Sequence, residues 1–298
     1  MSGPVESRRD AAGYAAAAIT PYHGRMLLLV DLDGVVYRGH EPVPGVAAVL
    51  SERVTAGDTV LYCTNNSSRY RSDYVEQLAS LGAPVQPDWV FTSARATALE
   101  LGAADPPVRV AMILGGRGLV REIRDAGIQT VSPTPRGLAA DPDVVVVGID
   151  RRLTYARLAA AAQAVREGSR FVATNRDPVF PAAEGLMPGA GSIVAALEVA
   201  ARRPPDLVIG KPGPILFEAA ARSVGCRPQD AIVIGDGALT DIAAACSAGA
   251  RSVLMLTGVT SRSEAEALPT GRRPTLVAAD AGELRTALRR LQAPPATV

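Results

Sequence analysis

The sequence is poor in the two residues on which much enzyme chemistry depends, histidine and cysteine. Its 298 residues include 2 histidines and 3 cysteines. The two histidines, His23 and His40, give little from which to build a Ser-His-Asp triad or a histidine-ligated zinc centre. The cysteines, Cys63, Cys226 and Cys246, are odd in number and widely spaced, which fits neither a disulfide framework nor a zinc pattern. We therefore expect reduced thiols in a cytoplasmic protein.

Aromatic residues, charge of one sign and long apolar runs are also scarce. The chain has 31 basic and 30 acidic side chains and an aromatic content of 4%. A net charge of +1 gives no basic field for nucleic acid or a membrane surface, and few aromatics are present to stack on bases. No apolar run approaches the roughly 18 residues of a membrane span. Nucleic-acid binding and membrane insertion are not predicted.

What the sequence does contain is an alternation of short apolar runs and longer alanine-rich stretches. Runs that are apolar throughout are typical of strands covered on both faces of a parallel sheet. Strand–helix alternation favours an α/β fold with right-handed crossovers. Helices are predicted at Tyr155–Arg166 and Pro214–Val224, among others. The predicted strands are Met26–Val30, Thr59–Cys63, Val108–Leu114, Val144–Ile149, Arg170–Ala173, Leu207–Ile209 and Ala231–Ile234.

Proline-rich segments suggest how the chain is divided into domains. Ala104-Asp105-Pro106-Pro107 and Arg203-Pro204-Pro205 bracket about a hundred residues that contain their own strands and helices. We predict an inserted α/β domain at 104–205. The predicted remainder is a discontinuous core of 25–103 and 206–291, with flexible tails at 1–24 and 292–298.

The strongest chemical signal is Asp31-Leu32-Asp33-Gly34, directly after the first predicted strand. Ligands of open α/β sheets bind at the carboxyl ends of the strands. Two neighbouring carboxylates at an apolar strand end repel each other, and a hard cation such as magnesium relieves that repulsion. Gly34 permits a sharp turn and a close backbone approach. Taken alone, the motif is equally compatible with an acidic turn.

Three further polar groups follow predicted strands in the same way. Hydroxyls and amides can hold phosphate oxygens, a fixed lysine can neutralise a phosphoryl group, and a second acidic pair again lies at the carboxyl end of a strand. Each has an ordinary alternative: a turn or helix cap, a surface lysine, or a solvated acidic pair. The groups are Thr64-Asn65-Asn66-Ser67, Gly210-Lys211-Pro212-Gly213, and Gly235-Asp236 with Thr240-Asp241.

In this order, the four groups resemble the motifs of the haloacid dehalogenase (HAD) superfamily. The similarity is to its 4-nitrophenylphosphatase, NagD-like nucleotidase and phosphoglycolate or glycerol-3-phosphate phosphatase branch, and it spans about Leu27 to Thr260. The resemblance implies a Rossmann-like parallel-sheet core with an inserted α/β cap. It also implies Mg²⁺-dependent hydrolysis of a small phosphorylated metabolite, with glycerol 3-phosphate or phosphoglycolate the leading expectation. A homodimer formed through the cap is a further implication.

The resemblance also assigns roles to individual residues. Asp31 would be the nucleophile, and Asp33 the general acid and base. Thr64 and Lys211 would bind the transferring phosphoryl group, with Asn65 and Gly34 shaping the phosphate site. The implied metal-binding residues are Asp31, Asp33 through its carbonyl, Asp236 and Asp241.

Two features leave the substrate open. Asn175, Arg176 and Asp177 follow a predicted strand of the cap and are candidate contacts to the leaving group, although an ordinary loop explains them equally well. Many relatives carry a basic residue after the fourth Gly-Asp pair, where this chain has Gly237, so we expect a changed rim of the site. A phosphotransferase or phosphomutase, and a non-catalytic protein that binds a phosphorylated metabolite, remain alternatives.

Overall fold

The computed structural model describes residues 26–182 and 185–292. The predicted tail at 1–24 lies outside the described residues. Of the predicted tail at 292–298, only Gln292 is described, and it is the last residue of the final helix. No described helix combines the length and the apolar character that crossing a bilayer requires.

Strands and helices alternate along most of the described chain. The strands are β1 Leu27–Val30, β2 Tyr37–Arg38, β3 Glu41–Pro42, β4 Thr59–Thr64, β5 Val90–Thr92, β6 Val110–Leu114, β7 Gln129–Val131, β8 Val144–Val147, β9 Arg170–Ala173, β10 Val179–Ala182, β11 Gly185–Pro188, β12 Leu207–Val208, β13 Ala231–Gly235, β14 Arg251–Met255 and β15 Leu276–Ala278. The helices are α1 Val46–Thr55, α2 Arg71–Ser80, α3 Ser93–Gly102, α4 Arg117–Asp125, α5 Pro135–Leu138, α6 Tyr155–Arg166, α7 Ala190–Ala201, α8 Ile215–Ser223, α9 Ala243–Ala248, α10 Arg262–Ala267 and α11 Ala281–Gln292.

A six-stranded parallel sheet carries three of the four sequence motifs. Its order is β15-β14-β13-β1-β4-β5. All four residues of β1 are buried because helices cover both faces, as its unbroken apolar sequence predicts. The strands β13, β1 and β4 are neighbours, so the motifs that follow them meet at one edge of the sheet.

A second parallel sheet is formed by strands from the middle of the chain, in the order β12-β9-β8-β6-β7. The parallel α/β architecture with two sheets confirms the predicted fold class. One detail differs: β12 was assigned to the core from residue 206, but it pairs with β9 in the second sheet, where Leu207 lies opposite Val172. The chain therefore returns to the first sheet only after β12. The precise domain boundaries stay a prediction.

The two sheets share part of their hydrophobic core. Leu29 and Cys63 of the first sheet belong to the same buried cluster as Ile113 and Val146 of the second, and Leu119 of α4 joins them. Helices α3 and α4 pack together between the sheets. This contact joins the two sheets.

Candidate active site

The nucleophile candidate, Asp31, lies at the carboxyl end of the central strand β1. Its backbone N–H continues the sheet by donating to the carbonyl of Ile234, at 2.8 Å. The residue is 7% exposed. Burial raises the pKa of Asp31 well above its ordinary value, and the ammonium of Lys211 opposes that rise. A buried carboxylate at this place depends on cations around it.

Lys211 supplies one such cation from the segment between β12 and α8. Its Nζ donates to Asp31 Oδ1 at 2.5 Å and to Asp241 Oδ1 at 2.6 Å, and the third donor points to the carbonyl of Cys63 at 3.3 Å. Burial disfavours the ammonium, but Asp241 and Asp31 together raise the pKa of Lys211 above its ordinary value. Lys211 is the only lysine of the chain. The two carboxylate contacts hold the Lys211 ammonium in place, as a charged group, at the carboxyl edge of the first sheet.

Three buried carboxylates meet beside this lysine. Each of Asp31, Asp236 and Asp241 offers an oxygen within 4.8 Å of the other two. Burial, and then the charge of Asp241, raise the pKa of Asp236 to about 6. One ammonium does not neutralise three acids, whereas a divalent cation with oxygen ligands would favour all of them in the charged form. The donor set therefore fits a hard divalent cation.

The main chain lies close to the Asp236 carboxylate on two sides, at Gly34 and at Gly258. A Cβ built on Gly34 would lie 2.2 Å from Asp236 Oδ2, and one built on Gly258 would lie 1.7 Å from the same atom. The N–H of Val259 donates to this oxygen at 2.8 Å. Gly34 also has φ +77, in the left-handed region. Any larger residue at either glycine would displace the carboxylate.

A Gly34→Ala substitution is therefore expected to destabilise the protein more than its backbone strain alone explains. We expect a loss of about 3 kcal/mol in the free energy of unfolding, from the left-handed φ together with overpacking. Gly39→Ala is the matched control, because Gly39 has φ +60 but no atom within 4 Å of its built Cβ, so only about 1 kcal/mol is expected. Urea unfolding measures both, and equal losses would contradict the steric account.

Asp33 lies at the mouth of the site, two residues beyond the buried nucleophile candidate. Its side chain is exposed to solvent. Desolvation by the surrounding residues nevertheless raises the pKa of Asp33, while the charges of Lys211 and Arg69 lower it. A carboxyl with a raised pKa beside a buried carboxylate suits proton transfer. Whether its carbonyl binds a metal stays a prediction.

The second motif ends β4 and contributes both Thr64 and Asn65. Thr64 is buried, and its Oγ1 accepts from the N–H of Asn66 at 3.2 Å. Asn65 lies between the two sheets, where its side-chain amide bonds to the main chain of Lys211. Thr64 is therefore on the carboxyl edge, as predicted, and Asn65 joins the second and third motifs.

The three predicted cap residues have different surroundings. Asn175 is 2% exposed and donates to the carbonyl of Asn65 at 2.7 Å. Asp177 accepts from Asn65 Nδ2 at 3.0 Å. Arg176 is exposed and pairs with Glu198 of α7 at 2.5 Å. Contact of these three residues with a leaving group stays a prediction, but Asn175 and Asp177 are already bound to the core.

The fourth motif has a local hydrogen bond at Gly237, the position at which the resemblance led us to expect a changed rim. The N–H of Gly237 donates to Asp241 Oδ2 at 3.0 Å. A Cβ on Gly237 would lie 2.0 Å from Thr240 Oγ1, so a side chain there would have to displace Thr240. Leu239 is 73% exposed instead. Whether Gly237 changes the rim of the site stays a prediction.

Sequence reasoning missed the loop after β14. Thr257 Oγ1 donates to the carbonyl of Gly34 at 2.6 Å, and Thr260 Oγ1 accepts from the N–H of Ala238 at 2.9 Å. The loop thereby joins the first and fourth motifs around Asp236. Its signal was present in the sequence, since Thr257 and Gly258 follow an apolar run, as the recognised motifs do.

Comparisons with known proteins agree with this geometry. The family model described as haloacid dehalogenase-like hydrolase matches residues 28–129, and the HAD-hydrolase-like model matches residues 208–284. A glycerol-3-phosphate phosphatase of Gallus gallus is 38% identical over 254 residues, which cover 80% of this chain and 81% of the relative. The chain belongs to the haloacid dehalogenase-like hydrolases.

Within this family, the chain is a phosphatase. A 5′-nucleotidase of Bacillus subtilis is 36% identical over 234 residues, covering 78% of this chain and 88% of the relative. Among solved structures, the glycerol phosphate phosphatase of Mycobacterium tuberculosis in complex with magnesium superimposes with a TM-score of 0.78 at 37% identity, over 87% of this chain and 75% of that one. The predicted resemblance, fold and enzyme class are confirmed.

Proposed function

We propose that the protein is a Mg²⁺-dependent phosphatase that hydrolyses small phosphorylated metabolites through an aspartyl phosphate on Asp31. The observation that carries the proposal is the buried Lys211 ammonium, bonded to both Asp31 and Asp241 beside a third carboxylate. This arrangement combines a nucleophile, a fixed cation for the phosphoryl group and the ligands of a divalent metal. Phosphoryl transfer draws on those elements.

In the first step, a carboxylate oxygen of Asp31 forms a bond to phosphorus as the bond to the leaving oxygen breaks. Asp33, at the mouth of the site, gives its proton to that leaving oxygen. Lys211 and the hydroxyl of Thr64 hold the phosphoryl oxygens, whose charge grows in the transition state. Magnesium, held by Asp31, Asp236 and Asp241, would add positive charge at the same oxygens.

In the second step, Asp33 takes a proton from a water molecule that attacks the phosphorus of the aspartyl phosphate. The bond to Asp31 breaks, inorganic phosphate leaves and both carboxyl groups return to their starting states. Asp33 suits both steps because it is solvent-accessible, whereas Asp31 is buried. The same access for water argues against a phosphotransferase, which has to shield the aspartyl phosphate.

The leading substrate is glycerol 3-phosphate, with phosphoglycolate next. The relative from Gallus gallus is a glycerol-3-phosphate phosphatase, and the solved structure from Mycobacterium tuberculosis is a glycerol phosphate phosphatase. The nucleotidase name of the Bacillus subtilis relative keeps nucleoside monophosphates in the comparison. A homodimer through the cap and a cytoplasmic location remain predictions.

The test is phosphate release from a panel of metabolites that includes glycerol 3-phosphate, phosphoglycolate, sugar phosphates, nucleoside monophosphates and pyridoxal phosphate. Each is assayed with magnesium, with EDTA, and with the Asp31→Asn variant. We expect turnover that requires magnesium and falls by at least about 10³-fold in the variant, since the amide is a poor nucleophile. Absence of release from every compound by folded wild-type protein would contradict the proposal and favour the transferase or the binding protein.

A further inference from the structure

The side-chain amide of Asn65 forms a paired contact with the main chain of Lys211. Its Oδ1 accepts from the N–H of Lys211 at 2.8 Å, and its Nδ2 donates to the carbonyl of the same residue at 3.0 Å. A Cβ on the preceding Gly210 would lie 2.6 Å from Asn65 Oδ1, so this approach depends on a glycine. The backbone of the only lysine is thus fixed by one side chain from the second motif.

The same amide is held from the cap side by Asp177. Asn65 Nδ2 lies 3.0 Å and 3.2 Å from the two carboxylate oxygens. An amide nitrogen has two hydrogens, so one serves the Lys211 carbonyl and the other serves Asp177. The opposite orientation of the amide would face its oxygen toward the carboxylate and its NH₂ toward the N–H of Lys211, and both contacts would be repulsive.

Asp177 is itself held in place by its neighbour in the cap. Its N–H donates to Asn175 Oδ1 at 3.1 Å, and Asn175 Nδ2 donates to the carbonyl of Asn65 at 2.7 Å. The cap loop therefore contacts Asn65 at both its side chain and its main chain. Because Asp177 offers only acceptor oxygens to Asn65 Nδ2, it favours the orientation of the amide in which both Lys211 contacts form.

We infer that Asp177 is a positioning residue, which acts through Asn65 to orient the main chain of Lys211 and so couples the cap to the phosphate-binding lysine. This inference rests on the proposed function for its catalytic consequence. It differs from the sequence-based expectation that Asp177 contacts the leaving group. A positioning role requires a hydrogen-bond acceptor at 177 and does not require its charge to reach the substrate.

Two variants separate the roles: Asp177→Asn keeps an acceptor oxygen for Asn65, and Asp177→Ala removes it. We expect Asp177→Ala to lower kcat about 10- to 100-fold with little change in KM. Effects of this size follow the loss of a residue that orients a metal-binding side chain through a hydrogen bond. Asp177→Asn should stay within about 3-fold of wild type. Glu167→Ala, at an exposed cap carboxylate that pairs with Gln163, is the control for a charge removed elsewhere in the cap.

A direct structural readout is available because Lys211 is the only lysine. Protein labelled with [¹⁵N-α]lysine should give a single backbone amide signal, which reports the N–H bonded to Asn65 Oδ1. We expect this signal to move in Asp177→Ala and to stay in place in Asp177→Asn and Glu167→Ala. Thermal unfolding shows that each variant is folded.

The outcomes are distinct. An unmoved Lys211 signal in Asp177→Ala, or equal losses of activity in both Asp177 variants, would overturn the inference, and a rise in KM alone would show direct substrate contact. If wild-type protein releases no phosphate, the proposed function fails, and the Lys211 signal still decides whether Asp177 orients that residue.

Discussion

Replacing Lys211 with methionine is expected to lower kcat/KM by at least about 10³-fold. The phosphoryl group gains negative charge on its oxygens in the transition state, and a fixed buried cation stabilises that charge without reorganising. Methionine has a similar length but no charge, so the effect isolates the ammonium. Lys211→Arg is expected to restore little activity, because the planar guanidinium cannot take the place of a point charge between Asp31 and Asp241.

Lys211→Met should also destabilise the folded state when no metal is added. Asp31 and Asp241 are buried and would lose their cation, and removing one partner from a buried pair costs about 3–5 kcal/mol. Magnesium binds the folded state selectively and should restore part of that loss. Urea unfolding with magnesium and with EDTA measures this difference. Activity within tenfold of wild type, or a stability loss that magnesium leaves unchanged, would contradict the assigned role of Lys211.

Replacing Glu122 with alanine is expected to cause a large loss of stability at a place outside the active site. Glu122 lies on α4 with 0% exposure, and its Oε2 is 3.0 Å from Nη1 of Arg71 at the start of α2. The N–H of Arg71 donates to the other carboxylate oxygen at 3.4 Å. Burial raises the pKa of Glu122, and Arg71 opposes this, so the charged form depends on the pair.

The loss expected for Glu122→Ala is about 3 kcal/mol in the free energy of unfolding, because removing one partner breaks a buried ion pair. Glu52→Ala is the control, since Glu52 makes two bonds of 2.8 Å to Arg285 at the surface, where solvent screens the pair. The control should lose far less. Chemical denaturation measures both, and similar losses would show that the buried pair has no special role in joining α2 to α4.

The central strands and the site could be predicted from the sequence because they depend on local patterns. Apolar runs marked β1, β4 and β13, and polar residues followed each of them. Parallel strands bring their carboxyl ends to one edge, so this pattern was enough to bring Asp31, Thr64 and Asp236 together. Lys211 reaches the same edge from β12 of the second sheet, which the pattern did not show. The helix predicted at Tyr155–Arg166 agrees with α6, whose start is capped by Thr154.

Other features could not be predicted because they depend on contacts distant in sequence. Strands β5 and β15 have three residues each, too few to show a pattern. The sequence around Glu122 is typical of a solvated helix face, but Glu122 is buried where α4 packs against α3 and pairs with Arg71. The bond between Asn65 and Asp177 joins residues 112 positions apart, so neither residue indicates the other in the sequence.

The central claim, that phosphate passes through Asp31, is tested most directly by trapping the phosphorylated enzyme. Protein is mixed with ³²P-labelled substrate and magnesium, quenched in acid within milliseconds and digested, and the labelled peptide is identified by mass spectrometry. The account predicts a hydroxylamine-sensitive label on the peptide that contains Asp31, and none in the Asp31→Asn variant. Label on a different residue, or turnover by Asp31→Asn at the wild-type rate, would contradict it.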